Sequence, residues 1–410
     1  MGLFLAAGFF LAIVCSVSDL VKNNKSASVF SLHSYRNLLY KPIVMSSTTS
    51  LYIPVRRAYR SRLDEVDWDN LETGMYTTDH MLICDYAEGG WKQPEIVPFG
   101  AFSLSPTTLC LHYGQTIFEG MKAFRTIDDR IHIFRPDRHY ERMVRSAERM
   151  CMPAPPPEVF HEGLRRLVEV DKEWVPGQTG AALYLRPFMI ATDTRFGLKV
   201  SDSYRLAIIC LPSMPYFAKA VQVKIEQTYV RAVSGGTGYA KCGGNYGGAF
   251  YAAQHARQEG YDQVIWTDGV QHRYIEEIGM MNIFFVMAER LVTPALTDSL
   301  LDGVTRDSLL TLALHKGLII EERRVSVGEL KEGLERGHVR EAFGAGTAAV
   351  ISPIRAIGID GVNYPLAVVG EGDSGESVAL LLKNELDDIR YGRQPDLFGW
   401  NTYIDVPGSI

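Results

Sequence analysis

The chain has 410 residues, 46% of them apolar, and a formal net charge of −6. That length supports two domains with sizeable cores, and with no basic surplus, no nucleic-acid partner is expected. Six cysteines, at 15, 84, 110, 151, 210 and 242, are scattered without a C-x-x-C. Neither a disulfide framework nor a zinc site is indicated, and a reducing compartment is. The ten histidines are equally dispersed, with no H-E-x-x-H.

The first 62 residues differ from the rest. They carry eight Lys or Arg and one acid, Asp19, a local charge of +7 that leaves −13 for the remainder. Leu3 to Cys15 is an apolar run of signal-peptide length, too short to span a bilayer comfortably. Serines and Arg36, Arg56, Arg57, Arg60 and Arg62 follow, the composition of an organelle transit peptide. A signal-like run before a transit-like run suits a bipartite address, such as those of plastids bounded by extra membranes. Mitochondrial import is the simpler rival, particularly if translation begins at Met45. Residues 1–60 are therefore set apart as a targeting leader. The mature protein is expected in a mitochondrion or plastid, without stable membrane association.

From His80 the chain alternates short strands and helices, with turns at Glu88-Gly89-Gly90 and Asp128-Asp129. Lys122 to Thr126 and Arg130 to Phe134 form a predicted hairpin around those aspartates. Met143, Ala147 and Met150 recur at helical spacing in a helix over 136–150, and a second helix runs over 157–174. Leu183 to Thr192 and Tyr204 to Leu211 read as strands. Prolines near 212–217 then mark a boundary between a small domain, 61–213, and a large one, 222–410, with a linker at 214–221. In the large domain, strand Val221 to Glu226 leads into a glycine-rich loop and a helix over 247–260. Strand Gln263 to Thr267, turned by Asp268-Gly269, comes next. Asn282 to Met287 and Leu291 to Pro294 form another hairpin, Thr305 to Lys316 a helix, and Val339 to Ala342 a strand. The whole is a mixed α/β chain.

The stretch Gly235-Gly236-Thr237-Gly238-Tyr239-Ala240-Lys241-Cys242-Gly243-Gly244-Asn245-Tyr246 strips bulk from both sides of one lysine. A lysine amine attacks carbonyls when it is held from water or beside another cation. Glycines let a flat ligand approach it closely. The plain alternative is a solvated lysine on a loop. A nucleotide phosphate loop fails on spacing, because Cys242 stands where Ser or Thr is required. A dinucleotide fingerprint fails as well.

A pyridoxal phosphate bound to such a lysine needs phosphate donors, an acid facing the ring nitrogen and a group on the ring phenolate. Gly303-Val304-Thr305 opens a helix, a ready phosphate site, and Gly344-Ala345-Gly346-Thr347 reads as a second tight turn with a hydroxyl. Glu276 or Glu277 would keep the ring nitrogen protonated, and Tyr246 is near enough to reach the phenolate. Each has an ordinary alternative as a turn residue or solvated charge. Arg142, among Glu141, Arg145 and Glu148, fits an ordinary charged helix face.

Several motifs then occur together: Phe118-Glu119-Gly120-Met121-Lys122-Ala123-Phe124, Tyr184-Leu185-Arg186-Pro187, Lys241 to Tyr246, Tyr274-Ile275-Glu276-Glu277, Met281-Asn282-Ile283-Phe284 and Gly346-Thr347-Ala348. From about Trp68 onward, and in family order, the chain resembles branched-chain amino acid aminotransferases. The resemblance implies a fold-type IV pyridoxal 5'-phosphate enzyme, a homodimer with a small α/β domain and a larger pseudobarrel domain. By that match Lys241 is the Schiff-base lysine, Glu277 faces the pyridine nitrogen and Tyr246 meets the phenolate. Arg142, Val304, Thr305 and Thr347 hold the phosphate, and Leu301 covers one ring face. Tyr184 and the backbone of Ala348 hold the substrate carboxylate, with Arg186 near the second carboxylate of glutamate. Tyr113 and Phe118 line the side-chain pocket, Tyr113 serving the neighbouring subunit.

The implied reaction is a ping-pong transfer between leucine, isoleucine or valine and 2-oxoglutarate, with the corresponding 2-oxo acids and glutamate as products. Two departures stand out. Ala349-Val350-Ile351-Ser352 replaces a redox C-x-x-C that some members carry, and Met280 replaces a small residue expected against the second ring face. A D-amino acid aminotransferase or lyase of the same fold is disfavoured by the Phe118 to Phe124 motif and Tyr184-Leu185-Arg186. A catalytically dead relative is disfavoured by Lys241, Tyr246 and Glu277.

Overall fold

The computed structural model describes residues 51–404 apart from 69, 72–73, 215–219 and 369–376. The apolar run at 3–15, residues 1–50 of the leader and most of the linker lie outside the described residues. Leu51 to Ile410 form one compact unit. It begins ten residues before the boundary set by composition. Ile53 is buried, Val55 bridges Ile96, and Arg56 N–H donates to Ile96 O at 2.8 Å. Charge placed this segment with the leader; its alternate apolar residues place it against the first sheet.

The first half supplies β1 (His80–Ala87), β2 (Gly90–Trp91), β3 (Glu95–Pro98), helix α1 (Leu109–Tyr113), β4 (Thr116–Phe118), β5 (Met121–Arg125), β6 (Ile131–Phe134), α2 (Pro136–Arg149), α3 (Pro157–Val170), β7 (Ala182–Ala191) and β8 (Tyr204–Ser213). The second half supplies β9 (Val221–Ile225), α4 (Gly243–Gly247), α5 (Phe250–Gln258), β10 (Gln263–Thr267), β11 (Ile275–Ile278), β12 (Met281–Met287), β13 (Arg290–Thr293), α6 (Val304–His315), β14 (Ile319–Glu322), α7 (Val327–Glu335), β15 (Val339–Gly346), β16 (Val350–Ile359), β17 (Val362–Pro365) and α8 (Val378–Arg390). The last strand, β18 (Asn401–Tyr403), returns to the first half and pairs with β6.

Strands β1 to β8 and β18 make one nine-stranded sheet. The other sheet runs β11-β10-β9-β16-β15-β12 and closes because β11 also pairs with β12. The ring of six strands is the barrel expected of the large half. Strand β12 shows how both cores are built from one run. Ile283 and Phe285 enter one buried cluster while Phe284 and Val286 enter another, as the two-residue alternation of a strand requires. In the first half, α3 lies close on the sheet at Gly163, where a Cβ would stand 2.7 Å from Leu82 Cδ1.

Three local expectations are corrected. The helix over 157–174 ends at Val170, and Lys172–Trp174 is a separate 3₁₀ turn. The helix over 247–260 is instead α4 followed by α5, so helical backbone starts four residues earlier, at Gly243. Gly344 to Gly346 are not a turn but the end of β15. A Cβ at Gly344 would meet Met281 Cε at 2.7 Å, so glycine there admits Met281 rather than bending the chain. The turn itself is Thr347 to Ala349, and Val350 follows it at φ 61°, an uncommon conformation for a β-branched residue.

His132 on β6 is fully buried and pairs through Nε2 with Arg390 O at 2.6 Å, tying β6 to the end of α8. Burial pushes its pKa down to about 4. Between about 6.5 and about 4 the unfolded chain therefore binds the extra proton, and folded stability falls as pH drops through that window. Urea unfolding at pH 7, 6 and 5 should show this slope, at most ~1.4 kcal/mol per pH unit from one histidine. His132→Asn should remove that share.

Candidate active site

A cavity of ≈ 410 Å³ lies where the two halves meet. From the first half Phe118, Arg142, Tyr184 and Arg186 reach it; from the second come Lys241, Tyr246, Glu277, Met280 and Leu301. Val304 and Thr305 at the start of α6, and Thr347 and Ala348 of the β15–β16 turn, complete its wall. Tyr113, at the end of α1, does not line it; 41% of that residue is exposed. The family resemblance gives Tyr113 to the pocket of a neighbouring subunit, and within one chain α1 points it outward.

Lys241 precedes α4, and its backbone is held on both sides. Its N–H donates to Ser146 Oγ at 2.9 Å, and its carbonyl accepts the Phe118 N–H at 3.0 Å. Nζ donates to Tyr246 Oη at 2.8 Å and sits 4.8 Å from the centre of the Phe118 ring. The glycines of the loop serve close approach: a Cβ on Gly238 would collide with Ser299 O. Cys242, next to the lysine, is buried.

Glu277 and Glu276 are neighbours on β11 and therefore face opposite ways. Glu277 faces the cavity; Glu276 turns to Ser299 Oγ and takes no part in the wall. Burial pushes the Glu277 carboxyl up, against the pull of Arg231, the Leu301 N–H, Lys241 and Arg142. Arg231 Nε stands 3.3 Å from Glu277 Oε2, an ion pair without hydrogen-bond geometry.

Arg142 is not on a solvated helix face. It is 3% exposed, and Glu119 grips it through Nε–Oε1 at 2.7 Å and Nη2–Oε2 at 2.8 Å. Nη1 donates to Asp302 O at 3.0 Å, which leaves donor capacity for an anion in the cavity. Burial opposes ionisation of Glu119, yet Arg142 and His139 hold its carboxyl well below the usual range. Burial also lowers His139 to about 4, so it is neutral at pH 7. Sequence reasoning missed Glu119; the one signal was an acid set between Phe118 and Gly120-Met121. It missed Lys122 too, whose buried Nζ donates to Ala348 O at 3.1 Å. Burial, with Arg390 adding to it, lowers that amine to about 7.

Tyr184 and Arg186 share one face of β7, and Arg186 Nη2 donates to Tyr184 Oη at 3.1 Å. The Arg186 guanidinium lies 4.7 Å from the Phe118 ring centre and 5.2 Å from that of Tyr184.

These groups fit a pyridine ring bearing a phosphate. The first turn of α6 carries no side-chain cap, so its N–H groups and Arg142 suit a phosphate. Glu277, a buried acid, suits a protonated ring nitrogen, and the Lys241–Tyr246 pair suits an aldehyde beside a phenolate. Residues 116–357 match the family model for amino-transferase class IV. Branched-chain-amino-acid transaminase 1 of Bacillus subtilis (strain 168) is 42% identical over 346 residues, covering 83% of this chain and 96% of the relative. The branched-chain aminotransferase of Thermoproteus uzoniensis, solved with norvaline, superposes with TM-score 0.65 at 25% identity. It covers 80% of this chain and 100% of its own. The T.th. branched-chain amino acid aminotransferase, solved with N-(5'-phosphopyridoxyl)-L-glutamate, gives TM-score 0.63 at 25% identity, covering 78% of this chain and 98% of its own. Fold and site thus define a pyridoxal 5'-phosphate-dependent aminotransferase. Within class IV, the chain belongs to the branched-chain amino acid aminotransferase family.

Gly120 gives Tyr184 its place: a Cβ there would overlap Tyr184 Oη. Gly120→Ala should push the phenol off the cavity wall and lower kcat/KM for amino acids by about 10²-fold, with the cofactor still bound. Steady-state kinetics with absorbance of the bound cofactor measures both. An unchanged kcat/KM would place Tyr184 beyond the substrate's reach.

Proposed function

We propose that this enzyme moves the amino group between leucine, isoleucine or valine and 2-oxoglutarate in a ping-pong cycle. The observation that carries the reading is the convergence on one cavity of the Lys241–Tyr246 pair and the buried acid Glu277. Pyridoxal phosphate supplies an aldehyde for the amino group and an electron sink for the carbon that loses its proton. Lys241 Nζ would hold the group covalently and, when free, would take the substrate's α-proton and return it. Tyr246 Oη holds that amine in hydrogen-bond reach. Glu277 would keep a proton on the ring nitrogen, and Arg142, Val304, Thr305 and Thr347 would secure the phosphate. Leu301 and Met280, both on the cavity wall, would flank the ring, a thioether being able to adapt to a flat face.

Tyr184 and the Ala348 backbone take the substrate carboxylate. Phe118 packs on the side chain, and Arg186 accepts the second carboxylate when glutamate or 2-oxoglutarate binds. Tyr113, exposed on α1 beside exposed Leu111, completes the side-chain pocket of a neighbouring subunit in a homodimer.

Purified protein should be yellow and should bleach with leucine. Lys241→Ala should lower transfer from leucine to 2-oxoglutarate by roughly 10²–10⁴-fold or more, with the fold intact by circular dichroism. Turnover near wild type in that variant would overturn the assignment. On this reading the leader directs import into a mitochondrion or plastid and gives way at Leu51 to the compact unit. A fluorescent reporter fused to residues 1–62 should enter one of them; cytosolic fluorescence would contradict it.

A further inference from the structure

Helix α2 presents Arg142, Ser146 and Arg149 at spacings of four and three residues, hence on one face. That face meets two segments that run to the cavity wall, the stretch before α6 and the glycine-rich lysine loop. Arg142 holds Asp302 O at 3.0 Å, just before α6. Arg149 donates from Nε to Gly236 O and from Nη2 to Gly235 O, both at 3.2 Å. Between them Ser146, fully buried, accepts the Lys241 N–H.

A helical serine commonly bonds back to the carbonyl four residues earlier and has no further part. Ser146 does make that bond, to Arg142 O at 2.9 Å. Spending its one proton there fixes the hydroxyl rotor, and the lone pairs are left to face Lys241. The peptide of Lys241 is then clamped, its N–H by Ser146 and its carbonyl by the Phe118 N–H. A lysine stem is long and freely rotating, so a small tilt of its backbone becomes a large error at Nζ.

We propose that Ser146 is a positioning residue of the transamination site, setting the direction of Lys241 Nζ through the backbone and coupling it to Arg142. The inference rests on the reading of Lys241 as the lysine that bonds the cofactor. It assigns Ser146 no contact with substrate. Loss of the hydroxyl should therefore impair the proton transfers of Lys241 and its bond to the cofactor, and leave amino acid binding nearly alone.

The test compares wild-type, Ser146→Ala and Ser146→Thr holoenzymes. In Ser146→Ala, kcat for leucine should fall about 5- to 30-fold, the scale of one buried hydrogen bond, with KM within about twofold. The pH midpoint of the bound cofactor's visible band should move by roughly half a unit or more. Ser146→Thr, which keeps the oxygen, should return the midpoint toward wild type. If Ser146→Ala does not fold, Ser146→Cys, which keeps the volume but is a weak acceptor, stands in for it. A wild-type midpoint and kcat in the variant lacking the acceptor would overturn the proposal. So would a rise in KM with kcat unchanged. Wild-type protein with no visible band, or one indifferent to leucine, would instead overturn the functional reading itself.

Discussion

A guanidinium out of reach of water persists only where fixed partners replace its hydration, and Arg142 has such a partner in Glu119. Breaking one side of a buried pair of this kind costs about 3–5 kcal/mol, so the pairing is close to obligatory. Much of the site follows from it. Once Glu119 is pinned to α2, the Phe118 N–H is carried to the Lys241 carbonyl and Gly120 to the space opposite Tyr184. With the helix pinned in turn, Ser146 stands beneath Lys241 and Arg149 beside Gly235 and Gly236. Neutral His139 occupies the remaining side of Glu119 at 2.8 Å and adds no second charge.

Arg186 illustrates how one pocket can receive both an apolar side chain and a carboxylate, as the proposed exchange requires. Its guanidinium lies near two aromatic rings, and its Nε has no hydrogen-bond partner among the described residues. Guanidinium is weakly hydrated and tolerates an aromatic neighbour. Under the proposed exchange it would stay against the rings beside an aliphatic chain and offer its donors to a carboxylate. An ammonium, with its tight hydration shell, would resist the first state.

What could be read from the sequence was what short windows determine. Period and turn chemistry locate the β5–β6 hairpin, α2 and the apolar run of β12, because neighbours in sequence decide them. The lysine loop was legible for the same reason, its glycines lying beside the residue they serve. Composition misplaced residues 51–60, since charge says nothing of Ile53 against the first sheet. Gly344 looked like a turn because its reason for being glycine is Met281, 63 positions away in the chain. Ser146 is separated from Lys241 by 95 positions, and no local pattern distinguishes it from any other helical serine. Tyr113 came only through the family resemblance, since no local pattern around the short helix α1 marks it.

The return of β18 to β6 carries a consequence for biogenesis. Asn401 to Tyr403 pair with β6 and cover its edge, and Trp400 O receives the Arg135 N–H at 2.7 Å, just where α2 begins. Trp400 also packs edge-on against Phe134. As the nascent chain leaves the ribosome, the whole first half emerges with that edge open and the start of α2 untethered. Neither can be closed until Trp400 to Tyr403 have been translated, after every strand of the barrel. An open strand edge invites pairing with other chains. Until then the lysine's scaffold waits on β18, and products stalled or truncated before it expose the β6 edge that β18 covers.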